Sequence, residues 1–276
     1  MSDLGIAPGR PGAAGRAEAL VTVEDHGPVR SVALNRAAKR NALDDELVTA
    51  LADAFQAAEA DAGVHAVVVR GRGPVFSAGM DRTTLCELAE VPGRIREFHR
   101  LVSRTWNLLE QMLKPTIAEI HGACLGGALE LALACDLRVV ADDARLGLPE
   151  ARIGLIPDCG GSSRLPSIVG LGRAKELVMT GRVIDGRQAQ AIGLANRIAP
   201  ADELAATTSD LLDELLQCAP VPVAYAKRVL DAAAKPGFAA TTEQEVTVQQ
   251  ICAQTIDFVE GTRALQEGRR PAFCGF

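Results

Sequence analysis

Residues 116–136 constrain the chain more than any other stretch, because they spell a strand, a glycine turn and a helix in immediate succession. Thr116 to Ile120 is short, β-branched and apolar, which predicts a buried strand. Gly122, Gly126 and Gly127 then let the backbone approach a ligand closely or take positive φ without a Cβ penalty. From Gly127 onward Ala, Leu and Glu dominate, so a helix is predicted to begin there with its first amides unpaired. Such an end is electropositive. A carbonyl oxygen gaining negative charge beside Gly126 and Gly127 would meet N–H donors and the positive end of the helix dipole. Glu130 lies one turn in, and helical side chains lean toward the N-terminus, so its carboxylate returns over the same spot. The stretch alone is equally compatible with a packing turn followed by a solvated glutamate.

A second turn of the same kind precedes it. Residues 65–69 read as a short buried strand, and the loop 71–81 leads into a helix near Arg82 with Asp81 as its N-cap. The Met80 amide could then supply a second donor to the same oxygen; the alternative is an ordinary turn. Upstream, residues 19–24 and 29–35 predict a hairpin around His26-Gly27-Pro28, followed by a polar loop carrying Arg36, Lys39 and Arg40. Leu43, Leu47, Leu51, Phe55 and Ala58 recur at helical spacing over residues 43–60. Ile95, Phe98, Val102, Trp106, Leu109 and Leu113 form another helical stripe, and residues 136–141 another buried strand. Strand and helix alternating in this way predict an α/β fold with parallel strands and sites at the strand carboxyl ends.

Residues 146–161 are dense in Gly and Pro and carry Glu150 and Asp158 among apolar neighbours. An acid so placed is either turned to water or held in a pocket with its pKa raised. From residue 162 the chain reads as mostly helical: 170–180, 185–192, a strand at 194–198, then 201–217, 221–234 and one long helix at 241–266. This tail is expected to cover the pocket or join subunits. Residues 1–17, rich in Gly, Ala and Pro without an apolar core, are expected to be a disordered tail and not a signal peptide.

Composition limits the function. A net charge of −6 gives no general attraction to nucleic acid or an anionic membrane. The seven cysteines are odd in number and unpaired in spacing, which fits reduced thiols and a cytoplasmic setting. The four histidines, His26, His65, His99 and His121, fall in no metal-ligand spacing, so no metal is expected. Acids at 119, 130 and 136 interrupt the most apolar region, so no membrane span is expected.

Residues 76–81, His121-Gly122 with Leu125-Gly126-Gly127, and Pro149-Glu150 through Gly160-Gly161 with Arg164-Leu165 stand in a fixed order and spacing. Together they resemble the crotonase superfamily of enoyl-CoA hydratases and isomerases over residues 29–200, with a weaker echo at 260–271. The resemblance implies a ββα spiral core at residues 18–200 and a C-terminal helical region at 201–276 that covers the pocket and joins subunits into a trimer or dimer of trimers. It implies an acyl-CoA thioester as substrate, with no separate cofactor. Its carbonyl would be held by the Met80 and Gly127 amides, with Glu130 and Glu150 as the catalytic acids. Arg36, Lys39, Arg40, Ala42, Ala78 and Asp81 would lie along the CoA moiety; the alternative for the basic loop is simple solvation.

Two positions depart from a plain hydratase. Ala128 stands where a third glycine is common. Asp158 stands where hydratases resembling this chain usually carry a small residue or glycine, while the dienoyl-CoA isomerase branch, and some relatives acting on ring-derived acyl-CoAs, carry an aspartate. Asp158 is therefore either a third acid in the pocket, serving double-bond migration with Glu150, or the cap of the helix beginning near residues 160–162. Hydration of a 2-enoyl-CoA to a 3-hydroxyacyl-CoA is the expected activity. An enoyl- or dienoyl-CoA isomerase is the alternative, and a non-catalytic or RNA-binding relative the third reading. A dinucleotide-dependent oxidoreductase fits poorly, because neither turn spells the Gly-x-Gly-x-x-Gly fingerprint.

Overall fold

The computed structural model describes residues 19–91, 93–235 and 237–275, and the expected tail at residues 1–17 lies outside the described residues. β1 (Val21–His26) folds back antiparallel on β2 (Val29–Leu34), and α1 (Asp45–Ala60) follows with Asp44 as N-cap, its carboxylate accepting from the Leu47 amide. β3 (Ala66–Gly71), α2 (Arg82–Glu90), α3 (Arg94–Gln111) and β4 (Thr116–Ile120) come next. Then follow β5 (Ala123–Leu125), α4 (Gly127–Ala134), β6 (Leu137–Ala141), β7 (Arg145–Gly147), a 3₁₀ turn at Glu150–Ile153 and α5 (Gly161–Val169). The remainder is α6 (Leu171–Thr180), β8 (Val183–Asp185), α7 (Gly186–Ala191) and β9 (Arg197–Ala199), then helices α8 (Leu204–Leu216), α9 (Pro220–Ala234), α10 (Phe238–Ala253) and α11 (Ile256–Glu267).

One sheet runs β1-β2-β3-β4-β6-β9, parallel from β2 onward, and a second runs β5-β7-β8. Successive units β4-β5-α4 and β6-β7-α5 thus place their first strands side by side in the large sheet and their second strands side by side in the small one. This is the expected ββα winding. α4 is buried on every face, which is why its sequence shows apolar residues all round and no stripe. Its C-terminal end is sealed by Arg138, whose guanidinium donates to Cys135 O at 2.9 Å and Leu194 O at 2.7 Å.

The sequence reading departs from the structure at three places. The run 241–266 is two helices, because the Thr255 hydroxyl accepts from the Phe258 amide at 3.2 Å and starts α11 afresh. Leu113 lies beyond the end of α3, so the stripe closes at Leu109. The three-residue strands β5, β7 and β8 were not anticipated. Each is too short to show a period and exists only through its neighbours.

The two layers meet at a close backbone contact. Gly79 has φ of +91°, and a Cβ there would lie 2.5 Å from Leu125 O. Gly79→Ala is expected to lower unfolding stability by about 2–4 kcal/mol, from backbone strain plus forced separation of the two turns. Chemical denaturation checks this, and an unchanged midpoint would refute the contact.

Candidate functional site

The two glycine turns lie side by side. Ser77 N donates to Ala123 O at 2.9 Å, which extends the small sheet by a single bridge to Cys124. On the other side, Leu43 N donates to Gly79 O and Asp81 N to Leu43 O, each at 2.8 Å. That pattern leaves the N–H of Met80 facing away from Leu43. Gly126 has φ of 55° and ψ of −129°, a conformation open to glycine, and Gly127 is the first residue of α4. Among the described residues neither Met80 N–H nor Gly127 N–H donates to another protein group. Two free amides therefore stand on neighbouring turns, the second at a helix terminus.

Two carboxyl groups bracket this turn. Glu130, 3% exposed, accepts through Oε1 from Cys159 N at 2.8 Å and Gly161 N at 2.9 Å. Glu150 opens the 3₁₀ turn, and its Oε1 lies 2.9 Å from where a Cβ on Gly126 would stand. Among the described residues its Oε2 is buried without a hydrogen-bond partner, an unsatisfied group that calls for an explanation. Burial pushes Glu130 well above the usual carboxylate range, with the nearby Glu150 adding to it. Burial likewise pushes Glu150 up to about 8. The pair cannot readily carry two charges, and the two amides on Glu130 Oε1 favour placing the single charge there.

Glu245 is a further acid that the sequence reading missed. It comes from α10, is 3% exposed, and accepts from Gly160 N at 3.0 Å. Burial pushes it up to about 7. The amides of Cys159 and Gly160, which lead into α5, and of Gly161, its first residue, are thus divided between two carboxyls from distant elements. Asp158 does not cap α5; the N-cap is Gly160. Instead Asp158, 6% exposed, meets His99 Nδ1 at 3.1 Å through Oδ2 and the Cys159 Sγ at 3.6 Å through Oδ1. Ser103 Oγ lies 3.2 Å from His99 Nε2. Ligand atoms of His99, Asp158 and Cys159 fall within 4.8 Å of one another, a grouping that spacing along the chain could not show.

The residues expected along CoA divide into two sets. Lys39, Arg40 and Ala78 are exposed at the lip of the first turn, with Ala78 N donating to Arg40 O at 3.0 Å. Arg36 is held by Asp81 at 2.6 Å and Asp44 at 2.8 Å, and it donates to the carbonyl of buried Ala42 at 3.1 Å. Asp81 also caps α2 by accepting from Thr83 N at 2.9 Å. Arg36, Ala42 and Asp81 therefore shape the loop, and Lys39 and Arg40 are exposed with no ion-pair partner among the described residues. Asn41, which the sequence reading passed over, fixes the loop from beneath: its Nδ2 reaches Arg72 O, Val75 O and Phe76 O.

The family model described as enoyl-CoA hydratase/isomerase matches residues 24–275. A crotonyl-CoA hydratase of Syntrophomonas wolfei is 34% identical over 87% of this chain and 92% of its own length. Human mitochondrial methylglutaconyl-CoA hydratase is 34% identical over 91% of this chain and 75% of its own. The crystal structure of an enoyl-CoA hydratase from Mycobacterium avium subsp. paratuberculosis superposes with a TM-score of 0.84 at 29% identity, covering 93% of this chain and 99% of that one.

The raised acids make stability fall with pH. In the unfolded chain these carboxyls ionise near about 4.3, so between about pH 5 and pH 8 the folded protein retains protons that unfolding releases. Stability is therefore full below that window and is lost as pH rises through about 7 for Glu245 and about 8 for Glu150, at up to about 1.4 kcal/mol per pH unit per proton. Denaturant titrations from pH 5 to 8.5 should show the decline, and Glu150→Gln and Glu245→Gln should each flatten it. A decline equally steep in both variants would contradict the assignment.

Proposed function

This chain belongs to the enoyl-CoA hydratase/isomerase family of the crotonase superfamily, and on that premise we propose that it adds water across the 2,3 double bond of a 2-enoyl-CoA. The observation that carries the reading is the placement of the Glu130 and Glu150 carboxyls against the Gly126-Gly127 turn, where the Gly127 amide is free. The thioester carbonyl lies against Met80 N–H and Gly127 N–H, where charge develops as C3 is attacked. Each such donor is worth about 3–4 kcal/mol of transition-state stabilisation.

Glu130, oriented by the Cys159 and Gly161 amides, accepts a proton from water as its oxygen bonds to C3. Glu150, neutral at physiological pH, delivers its proton to C2. One proton then passes from Glu130 to Glu150 and restores the resting pair, so the net reaction consumes one water. Lys39 and Arg40 offer charge to the CoA phosphates. The assembly that suits the fold is a trimer or dimer of trimers, and α9 exposes Val221, Tyr225 and Val229 at four-residue spacing for such a contact.

Double-bond migration is the competing reaction on the same residues, and the burial of Asp158 beside the pair is the observation in its favour. Its engagement by His99 and Cys159 counts the other way.

Purified protein mixed with crotonyl-CoA should lose the conjugated enoyl-thioester absorbance and give a product heavier by one water. Glu150→Gln and Glu130→Gln should each lower kcat by about 10²–10⁴-fold. Absence of hydration on 2-enoyl-CoAs, or full turnover by Glu150→Gln, would overturn the reading.

A further inference from the structure

Asp158, His99 and Ser103 form a chain of side chains running out from the acid cluster. His99 and Ser103 sit one turn apart on α3, and both line a cavity of about 560 Å³ between α3 and α10. Asp158 stands at the inner end, close enough to Glu130 and Glu150 to raise both. The direction of the hydrogen bonds along this chain is read from the Cys159 end. Burial keeps its thiol protonated, and the nearby Asp158, Glu130 and Glu245 add to that against a smaller opposing contact from Ser103. Its S–H then donates to Asp158 Oδ1, and the remaining oxygen faces His99 Nδ1. A buried carboxylate with a donor already on one oxygen is best satisfied by a donor on the other. That places the imidazole proton on Nδ1 and leaves Nε2 to accept from the Ser103 hydroxyl.

We propose that His99 is a positioning residue that determines reaction specificity: with the Cys159 thiol it occupies both oxygens of Asp158 and withholds this third acid from the acyl chain. Hydration needs one proton delivered to C2 and one hydroxyl to C3, which Glu130 and Glu150 supply. Moving a double bond needs a group that takes a proton from one carbon while another returns a proton to a second carbon. Asp158 is the spare acid for that exchange, and it can serve only if a hydrogen bond to it is released. The hydratase character of the site therefore depends on a residue that touches no substrate atom. This inference rests on the hydratase reading of the same site.

Two conservative variants separate positioning from mere packing. Asn carries its amide nitrogen the same number of bonds from Cβ as Nδ1, so His99→Asn keeps a donor toward Asp158. Gln matches the bond count to Nε2, so His99→Gln keeps a partner for Ser103 and loses the donor to Asp158. The readout is the rate of 3-hexenoyl-CoA conversion to 2-hexenoyl-CoA divided by the rate of 2-hexenoyl-CoA hydration. The ratio should rise about ten-fold or more in His99→Gln, the weight of one charge-assisted hydrogen bond. It should stay near the wild-type value in His99→Asn, and should fall back in the double variant His99→Gln/Asp158→Asn. A ratio that is unchanged in His99→Gln, or raised equally in both single variants, overturns the proposal. Nitrogen-15 NMR of the wild-type protein tests it without any variant: His99 should be the Nδ1–H tautomer, and an Nε2–H tautomer overturns it. Wild-type hydration of 2-hexenoyl-CoA, measured alongside, shows separately whether the hydratase reading stands.

Discussion

The contact of one backbone turn on another, Gly79 against Leu125 and Gly126, is the constraint from which the rest of the site follows. Neither turn has room for a Cβ: one on Gly79 would meet Leu125 O of the other turn, and one on Gly126 would meet the Glu150 carboxyl at 2.9 Å. The approach brings the ends of two different ββα units together, with Met80 next to Gly79 on one turn and Gly127 next to Gly126 on the other. It also fixes where α4 begins, and hence where Glu130 points. A helix start displaced by one residue would rotate that carboxyl by about 100° around the axis, off the amides of α5.

The second organising feature is the N-terminus of α5. Its amides at Cys159, Gly160 and Gly161 receive carboxyls from α4 and α10, and so hold two acids where water would otherwise be their partner. Arg164, the nearby buried cation, is committed to Glu110 and Asn107 and does not neutralise them. The charge balance is therefore met by protons, which is why these acids are raised and why a reaction that moves protons suits the place. The C-terminal helices take part through Glu245, so α10 belongs to the site's electrostatics.

The large parallel strands and amphipathic helices were legible because each buries a stripe or a face whose period shows in the sequence. The two glycine turns and Glu130 were legible because one turn of helix determines where an i+3 side chain returns. Glu150 could be placed only through the three-block resemblance, since an acid among Leu, Ile and Pro has two outcomes. His99 shares the buried face of α3 with Phe98 and Val102, yet its partner Asp158 lies 59 residues away and no local pattern connects them. Glu245 was hidden in a helix of alternating polar and apolar residues without a strong stripe, and it meets Gly160 across 85 residues. The break at Thr255 escaped because no Gly or Pro marks it; a hydroxyl cap does the work.

The central claim is that the two unpaired amides at Met80 and Gly127 polarise a thioester carbonyl between Glu130 and Glu150. The infrared stretch of butyryl-CoA labelled with carbon-13 at the thioester carbonyl tests it most directly, since this saturated ligand can bind without reacting. Bound to the protein, the labelled stretch should move to lower frequency than in water, because fixed donors in a buried site weaken the C=O bond more than solvent does. A carbonyl that binds and keeps its aqueous frequency would contradict the account.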